Sequence, residues 1–198
     1  MSKIRVLIVD DSAVIRKLLN HIISSQPDME VVGLAPDPYI ARDKIVELKP
    51  DVMTLDVEMP RMDGLTFLEK VMGYIPTRTI IISSLAKKQS ETALRALELG
   101  AVDVLEKPSL DVTKNMEELG ATIAEKIRTV AKARLIAPVK SSTPRSTVAT
   151  GALAQTTHQI LAIASSTGGT EALRVLLGGL PADIPGTVIA QHMPPGFT

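Results

Sequence analysis

The sequence predicts an α/β protein: a parallel sheet of five strands with helices on both faces, then a linker, then the opening of a second α/β unit. Three observations carry this. Before about residue 130, short β-branched runs alternate five times with stretches of helical spacing. The stretch APVKSSTPRSTVATGALAQTT then shows neither period and has linker composition. After it, ILAIASSTGGTEALRVLL returns to an apolar run, a Ser/Gly turn and a helical pattern.

The elements follow in order. The first strand is IRVLIV, closing on Asp10 and Asp11, and SAVIRKLLNHII follows with Val14, Leu18 and Ile22 on one face. EVVGLA and YIARDKIVEL are the second pair. DVMTL ends in Asp56 and leads to GLTFLEKVMGY. TIIIS ends in Ser83 and leads to SETALRALELG. VDVL is followed closely by Lys107 and Pro108, and a last helix runs from near Val112 to about Ala133. Right-handed crossovers bring the C-terminal ends of all five strands to one edge, the ligand-binding edge of open sheets.

Composition narrows the function classes. Lysine and arginine balance aspartate and glutamate, 22 against 22, so bulk charge favours neither nucleic acid nor a membrane surface. Aromatics are 2% of the chain, too few for base stacking. There is no cysteine, hence no disulfide framework or thiolate metal site. No apolar run reaches the roughly 20 residues of a membrane span, and the start lacks a signal-peptide core, so a cytoplasmic protein is expected. The span from Lys126 to Thr170 contains no acid, and the cations of the linker stretch within it fit a solvated tether.

The strand ends carry the first chemistry. Asp10, Asp11 and Asp56 would converge from two neighbouring strands, and like charges that close oppose joint ionisation. An Asp or Ser at a strand end is also an ordinary cap or turn residue, and a single KP is an ordinary loop. The combination points further: a hard divalent cation, Mg²⁺ with retained waters, relieves the repulsion. Lys107 and Ser83 at the same edge suit a phosphoryl group, with Asp56 as the nucleophile that forms an aspartyl phosphate.

The second unit raises a different possibility. SSTGG joins a strand expected to be buried and parallel to an amphipathic helix. The turn admits three readings: a phosphate loop, which lacks the Walker lysine and the G-x-G-x-x-G spacing; a capped helix without chemistry; and a nucleophile turn, Ala164 to Gly168, shaped like G-x-S-x-G with Ser166 at its centre. A serine needs a base. His21 belongs on a helix surface and His158 beside the linker. His192 follows the strand GTVIAQ and precedes MPPGF, so it could meet Ser166 if the two strands are parallel neighbours. Neither Glu171 nor Asp183 is a convincing third member. A βαβ unit of about 40 residues cannot bury a doubly wound core alone, so the chain is expected to be cut short.

VLIVDDS, DVMTLDVEMPRMDGLTFLEKV, TIIISSLA and LGAVDVLEKP together resemble the receiver domain of two-component response regulators. The resemblance implies a flavodoxin-like (βα)5 fold over 3–122 and a Mg²⁺ site from Asp10, Asp11, Asp56 and the Glu58 carbonyl. It makes Asp56 the phosphoacceptor, Ser83 the switch hydroxyl, with Ser84 a weaker candidate, and Lys107 the phosphoryl-binding lysine. Val104 stands where many receivers carry an aromatic switch residue. With IASSTGGTEAL and IAQHMPPGFT behind a helix end and linker over 123–157, the chain resembles the chemotaxis protein-glutamate methylesterase family, the CheB type, whose catalytic domain would open over 158–198. That implies Ser166 as nucleophile, His192 as general base, Thr167 as a neighbouring site residue and a catalytic Asp beyond Thr198. Ala164 replaces the family's usual Gly.

The implied activity is hydrolysis of glutamate methyl esters, and deamidation of glutamines, on chemoreceptors, with no cofactor for the esterase step. The implied partners are a chemotaxis histidine kinase and methyl-accepting chemoreceptors, without nucleic acid or membrane insertion. Two rivals remain: a receiver with a DNA-binding output, which would open on a basic helix-turn-helix rather than a strand and a Ser/Gly turn, and a phosphoacceptor with a degenerate, non-catalytic tail.

Overall fold

The computed structural model describes residues 2–83, 89–107, 116–135, 160–166, 169–181 and 184–192. Five strands, β1 (Ile4–Val9), β2 (Met29–Ala35), β3 (Val52–Asp56), β4 (Arg78–Ser83) and β5 (Asp103–Glu106), form one parallel sheet in the order β2-β1-β3-β4-β5. Five helices alternate with them: α1 (Ala13–Ser24), α2 (Pro38–Leu48), α3 (Gly64–Tyr74), α4 (Gln89–Glu98) and α5 (Met116–Lys132). This is a flavodoxin-like (βα)5 architecture, as expected. The start of the last helix, expected near Val112, lies outside the described residues.

Two hydrophobic layers hold the helices to the sheet, and the two-residue period of a strand divides them. Leu7, Val9, Met53, Leu55 and Ile81 pack with residues of α2, α3 and α4. Val6, Ile8, Val52, Ile80 and Ile82 face the other way and pack with Ile15, Leu19, Ile22 and Ile23 of α1 and with Ile123, Ile127 and Val130 of α5. Covered on both faces, the central strands read as unbroken apolar runs.

Helix starts follow local chemistry. Ser12 caps α1 by accepting from the Ile15 amide at 3.4 Å, Asp37 caps α2 and Asp63 caps α3. The sheet order reverses between β1 and β3, so the crevice between their C-terminal ends is where a ligand site is expected. One glycine is required there. A Cβ on Gly64 would sit 2.1 Å from the Asp56 carbonyl oxygen, so only glycine lets α3 begin so close to the end of β3.

The second unit comprises β6 (Ile160–Ser165), α6 (Gly169–Leu177) and β7 (Gly186–Gln191), with β6 and β7 paired in parallel. One expectation is not met: β6 is parallel but not buried. Ile160 is 74% exposed and Val188 on β7 is 62% exposed. Among the described residues a two-stranded sheet with a single helix of its own leaves most of its apolar surface in solvent.

Candidate functional site

Two groups of side chains gather at strand ends, one in each unit. In the first, Asp10 follows β1 and Asp56 ends β3. The Val9–Leu55 register brings those ends level. One carboxylate oxygen from each of Asp10, Asp11 and Asp56 lies within 4.8 Å of the others. Asp10 and Asp56 are buried and Asp11 is exposed, so the cluster is a cleft with one open side. β4 and β5 contribute the remaining groups. The Lys107 amide donates to the Ser83 carbonyl at 2.8 Å, which fixes Lys107 beside the end of β4. Its Nζ then donates to Asp56 Oδ2 at 2.8 Å and lies 3.1 Å from Asp10 Oδ2, the latter outside hydrogen-bond geometry.

The electrostatics follow from enclosure. Burial pushes the Asp56 carboxyl above the ordinary carboxylate value, against the hydrogen bond from Lys107, and the neighbouring Asp10 charge adds to the rise. Burial does the same to Asp10, outweighing the Ser12 amide and Lys107. Burial alone would lower Lys107, but its contacts with Asp56 and Asp10 win and its value is raised. A single ammonium is thus shared between two buried carboxylates, with a third beside them. That donor set, all hard oxygens with excess negative charge, fits Mg²⁺. Among the described residues the Lys107 ammonium is the single cation against these carboxylates, at 2.8 Å from Asp56 Oδ2 and 3.1 Å from Asp10 Oδ2, so one positive charge faces three acids and a divalent cation would restore the balance.

Around this core the structure places the other expected residues. The Glu58 side chain is exposed, while its amide donates to Asp56 Oδ1 at 3.3 Å, so its backbone adjoins that carboxylate. Ser83 is buried and its Oγ has no hydrogen-bond partner among the described residues. Ser84 lies outside the described residues. Val104 is buried in the layer under α3 and α4. Ser12, not Asp10 or Asp11, caps α1, which leaves both acids available.

In the second group, Ser166 Oγ and His192 Nδ1 lie 3.2 Å apart. The Ser165–Gln191 register produces this, since each residue is the first beyond its strand. The His192 amide donates to the Ser165 carbonyl at 2.8 Å, and the Gly169 amide to the Ser166 carbonyl at 2.7 Å. A Cβ on Gly169 would come within 1.8 Å of Ser165 Oγ and 2.6 Å of Gln191 Oε1, so a larger residue would displace those two side chains. His21 is exposed on α1. Thr167, His158 and Asp183 lie outside the described residues, as does the side chain of Glu171.

Sequence reasoning overlooked three side chains. Gln191 Nε2 donates to the Ser166 and His192 carbonyls at 3.0 and 2.8 Å, tying the two loops together. Arg61, at φ 71°, donates to Asp37 Oδ2 at 2.7 Å and lies over the Tyr39 ring. Arg16 Nη1 donates to the carbonyls of Asp10 and Asp11. The available signal for Arg16 was its position, one turn after the Ser12 cap.

Both units match known proteins. Residues 6–119 match the response regulator receiver domain and residues 161–198 match the CheB methylesterase. A Bdellovibrio bacteriovorus protein-glutamate methylesterase/protein-glutamine glutaminase is 69% identical over 99% of this chain, but the chain spans only 56% of that relative's length. The response regulator domain of Thermotoga maritima CheB superposes with a TM-score of 0.61 at 44% identity, covering 67% of this chain and 98% of that one. A structure of the CheA3 P1 domain with CheY6 from R. sphaeroides matches at 37% identity and a TM-score of 0.54, over 67% of this chain and all of that one.

Proposed function

The chain belongs to the response regulator receiver family, and from that premise we propose that it is the phosphorylation-controlled part of a chemotaxis protein-glutamate methylesterase. The observation that supports this most is that one chain carries both the Asp10–Asp11–Asp56–Lys107 cluster and a Ser166–His192 pair at 3.2 Å. The receiver is assigned to 3–122, a helix end and linker to 123–157, and the esterase segment to 158–198.

In the receiver, a carboxylate oxygen of Asp56 attacks the phosphorus of a phosphohistidine. The N–P bond breaks as the new O–P bond forms. Lys107 offsets charge on the transferred group, and the Ser83 hydroxyl is free to donate to one of its oxygens. Mg²⁺ held by Asp10, Asp11, Asp56 and the Glu58 carbonyl would supply further charge neutralisation. The phosphodonor is a chemotaxis histidine kinase. The esterase acts on methylated glutamates of chemoreceptors, and the protein works in the cytoplasm. No described helix is long and apolar enough to cross a membrane.

In the esterase segment, Ser166 Oγ attacks the side-chain carbonyl of a glutamate methyl ester and His192 takes its proton. For Nδ1 to accept, the ring's own proton must sit on Nε2, which is then the nitrogen a catalytic acid would hold. His192 gives that proton to the leaving oxygen of the ester or nitrogen of the amide as the acyl bond breaks, releasing methanol or ammonia. Water then attacks the acyl-enzyme with His192 taking its proton, which frees glutamate and restores Ser166. Thr167, the next residue in the sequence, is assigned as a neighbouring site residue. Contact between α4 and α6 supports control of this segment by the receiver, because α4 follows the β4 end that bears Ser83.

The test combines two assays. Acetyl phosphate with Mg²⁺ labels this chain, and Asp56→Asn abolishes the label. Methanol release from methylated receptor is measured on this chain beside a form extended to its relatives' length. Turnover that appears in the longer form and disappears with Ser166→Ala supports the reading. Turnover that survives Ser166→Ala overturns it, and labelling without turnover in either form favours a phosphoacceptor with a non-catalytic tail.

A further inference from the structure

We propose that Arg16 is a positioning residue of the receiver's metal site, whose guanidinium holds the Asp10–Asp11 backbone so that both carboxylates stay presented to a divalent cation. The inference rests on the assignment of Asp10, Asp11 and Asp56 as that site.

Arg16 lies near the start of α1, and its Nη1 donates to the Asp10 carbonyl at 2.7 Å and to the Asp11 carbonyl at 2.9 Å. Helix electrostatics do not explain this placement, because the positive end of a helix disfavours a cation. Nor does an ion pair, since Arg16 forms none among the described residues. What the guanidinium meets is the backbone of two adjacent acids whose carboxylates repel each other and Asp56.

Two consecutive carbonyls on one nitrogen limit the rotation of the peptide between them, and so the directions of both side chains. The Ser12 amide restrains the same turn from the other side, donating to Asp10 Oδ1 at 2.8 Å. The Ser12 carbonyl closes the loop onto the helix by accepting from the Arg16 amide at 3.0 Å. The charge also offsets part of the negative potential of the acids without entering the cleft, a place Lys107 already occupies. Lysine would be a partial substitute, because its ammonium can also donate twice from one nitrogen but is more strongly hydrated and sits on a more flexible stem. Outer groups that orient metal ligands in this way affect affinity more than their distance from the metal suggests.

The experiment titrates Mg²⁺ into the ¹⁵N-labelled 198-residue chain and follows the Asp10, Asp11 and Asp56 amides. Wild type, Arg16→Met and Arg16→Lys are compared, with Mg²⁺-free melting temperatures measured alongside. The expected result is a Mg²⁺ dissociation constant raised on the order of tenfold in Arg16→Met, an intermediate value in Arg16→Lys, and little change in Mg²⁺-free melting. Acetyl phosphate labelling should be slower at low Mg²⁺ and return to the wild-type rate at saturation. If Arg16→Met does not fold, Arg16→Lys carries the test. Affinity within about twofold of wild type in the folded variants overturns the proposal, whatever happens to melting. A wild-type chain that shows no saturable Mg²⁺ shift at these amides instead overturns the metal-site assignment itself.

Discussion

Replacing Lys107 with methionine tests the electrostatic account of the receiver cleft. The ammonium lies 2.8 Å from Asp56 Oδ2 and 3.1 Å from Asp10 Oδ2, and the two carboxyl side chains are each about 2% exposed. At an effective dielectric near 20, each contact represents about 5–6 kcal/mol of attraction before desolvation is subtracted. Removing one partner of a fully enclosed pair costs about 3–5 kcal/mol. Lys107 keeps 19% of its side chain exposed, so the lower end, about 3 kcal/mol, applies. For a domain of this size that is a fall of about 10 °C in melting temperature.

Urea unfolding of the 198-residue chain without Mg²⁺ measures the loss directly. Repeating it at saturating Mg²⁺ should recover most of the difference, because the cation then supplies the charge that Lys107 no longer does. A Mg²⁺-free loss below about 1 kcal/mol, or a full loss that Mg²⁺ does not reduce, would refute the shared-cation picture.

Gly64→Ala should destabilise the receiver by at least about 2 kcal/mol and slow acetyl phosphate labelling, because the new methyl collides with the Asp56 carbonyl and the Val57 Cα rather than with a movable side chain. Normal urea stability in that variant would contradict the close approach. Asp28 is held below the ordinary carboxyl value, first by its hydrogen bonds from Arg128, at 2.7 and 2.8 Å, which staple α5 to the start of β2. A depressed folded value means the stabilisation is present above the unfolded carboxyl value, about 3.9, and is lost as pH falls through the folded value. The gap in urea midpoint between wild type and Asp28→Asn should therefore be widest near neutrality and close in acid, and a gap that grows on acidification would show the sign to be wrong.

Much of the receiver was legible in the residues. Its strands are apolar on both sides because helices cover both, so IRVLIV, DVMTL and TIIIS stand out without any partner in view. The acids, the serine and the lysine were visible because each stands at or just beyond a strand end. The exposure of β6 follows from the small size of its unit and not from its own residues. ILAIA has the composition of a buried strand, but burial depends on what packs against it, and among the described residues only α6 and β7 do so extensively.

The sequence alone determined which segments alternate as strand and helix, which side chains end each strand, and that a second strand–turn–helix unit follows the first, since period and residue type are local properties. Tertiary structure decided what those side chains do to one another. The order of the five-stranded sheet placed β3 beside β1 and set one ammonium between Asp10 and Asp56, and the separate β6–β7 pairing brought Ser166 Oγ to 3.2 Å from His192 Nδ1. It also turned Arg16 back onto the carbonyls of Asp10 and Asp11. Distances between residues remote in sequence, and the enclosure that shifts their ionisation, arise only when the whole sheet is assembled.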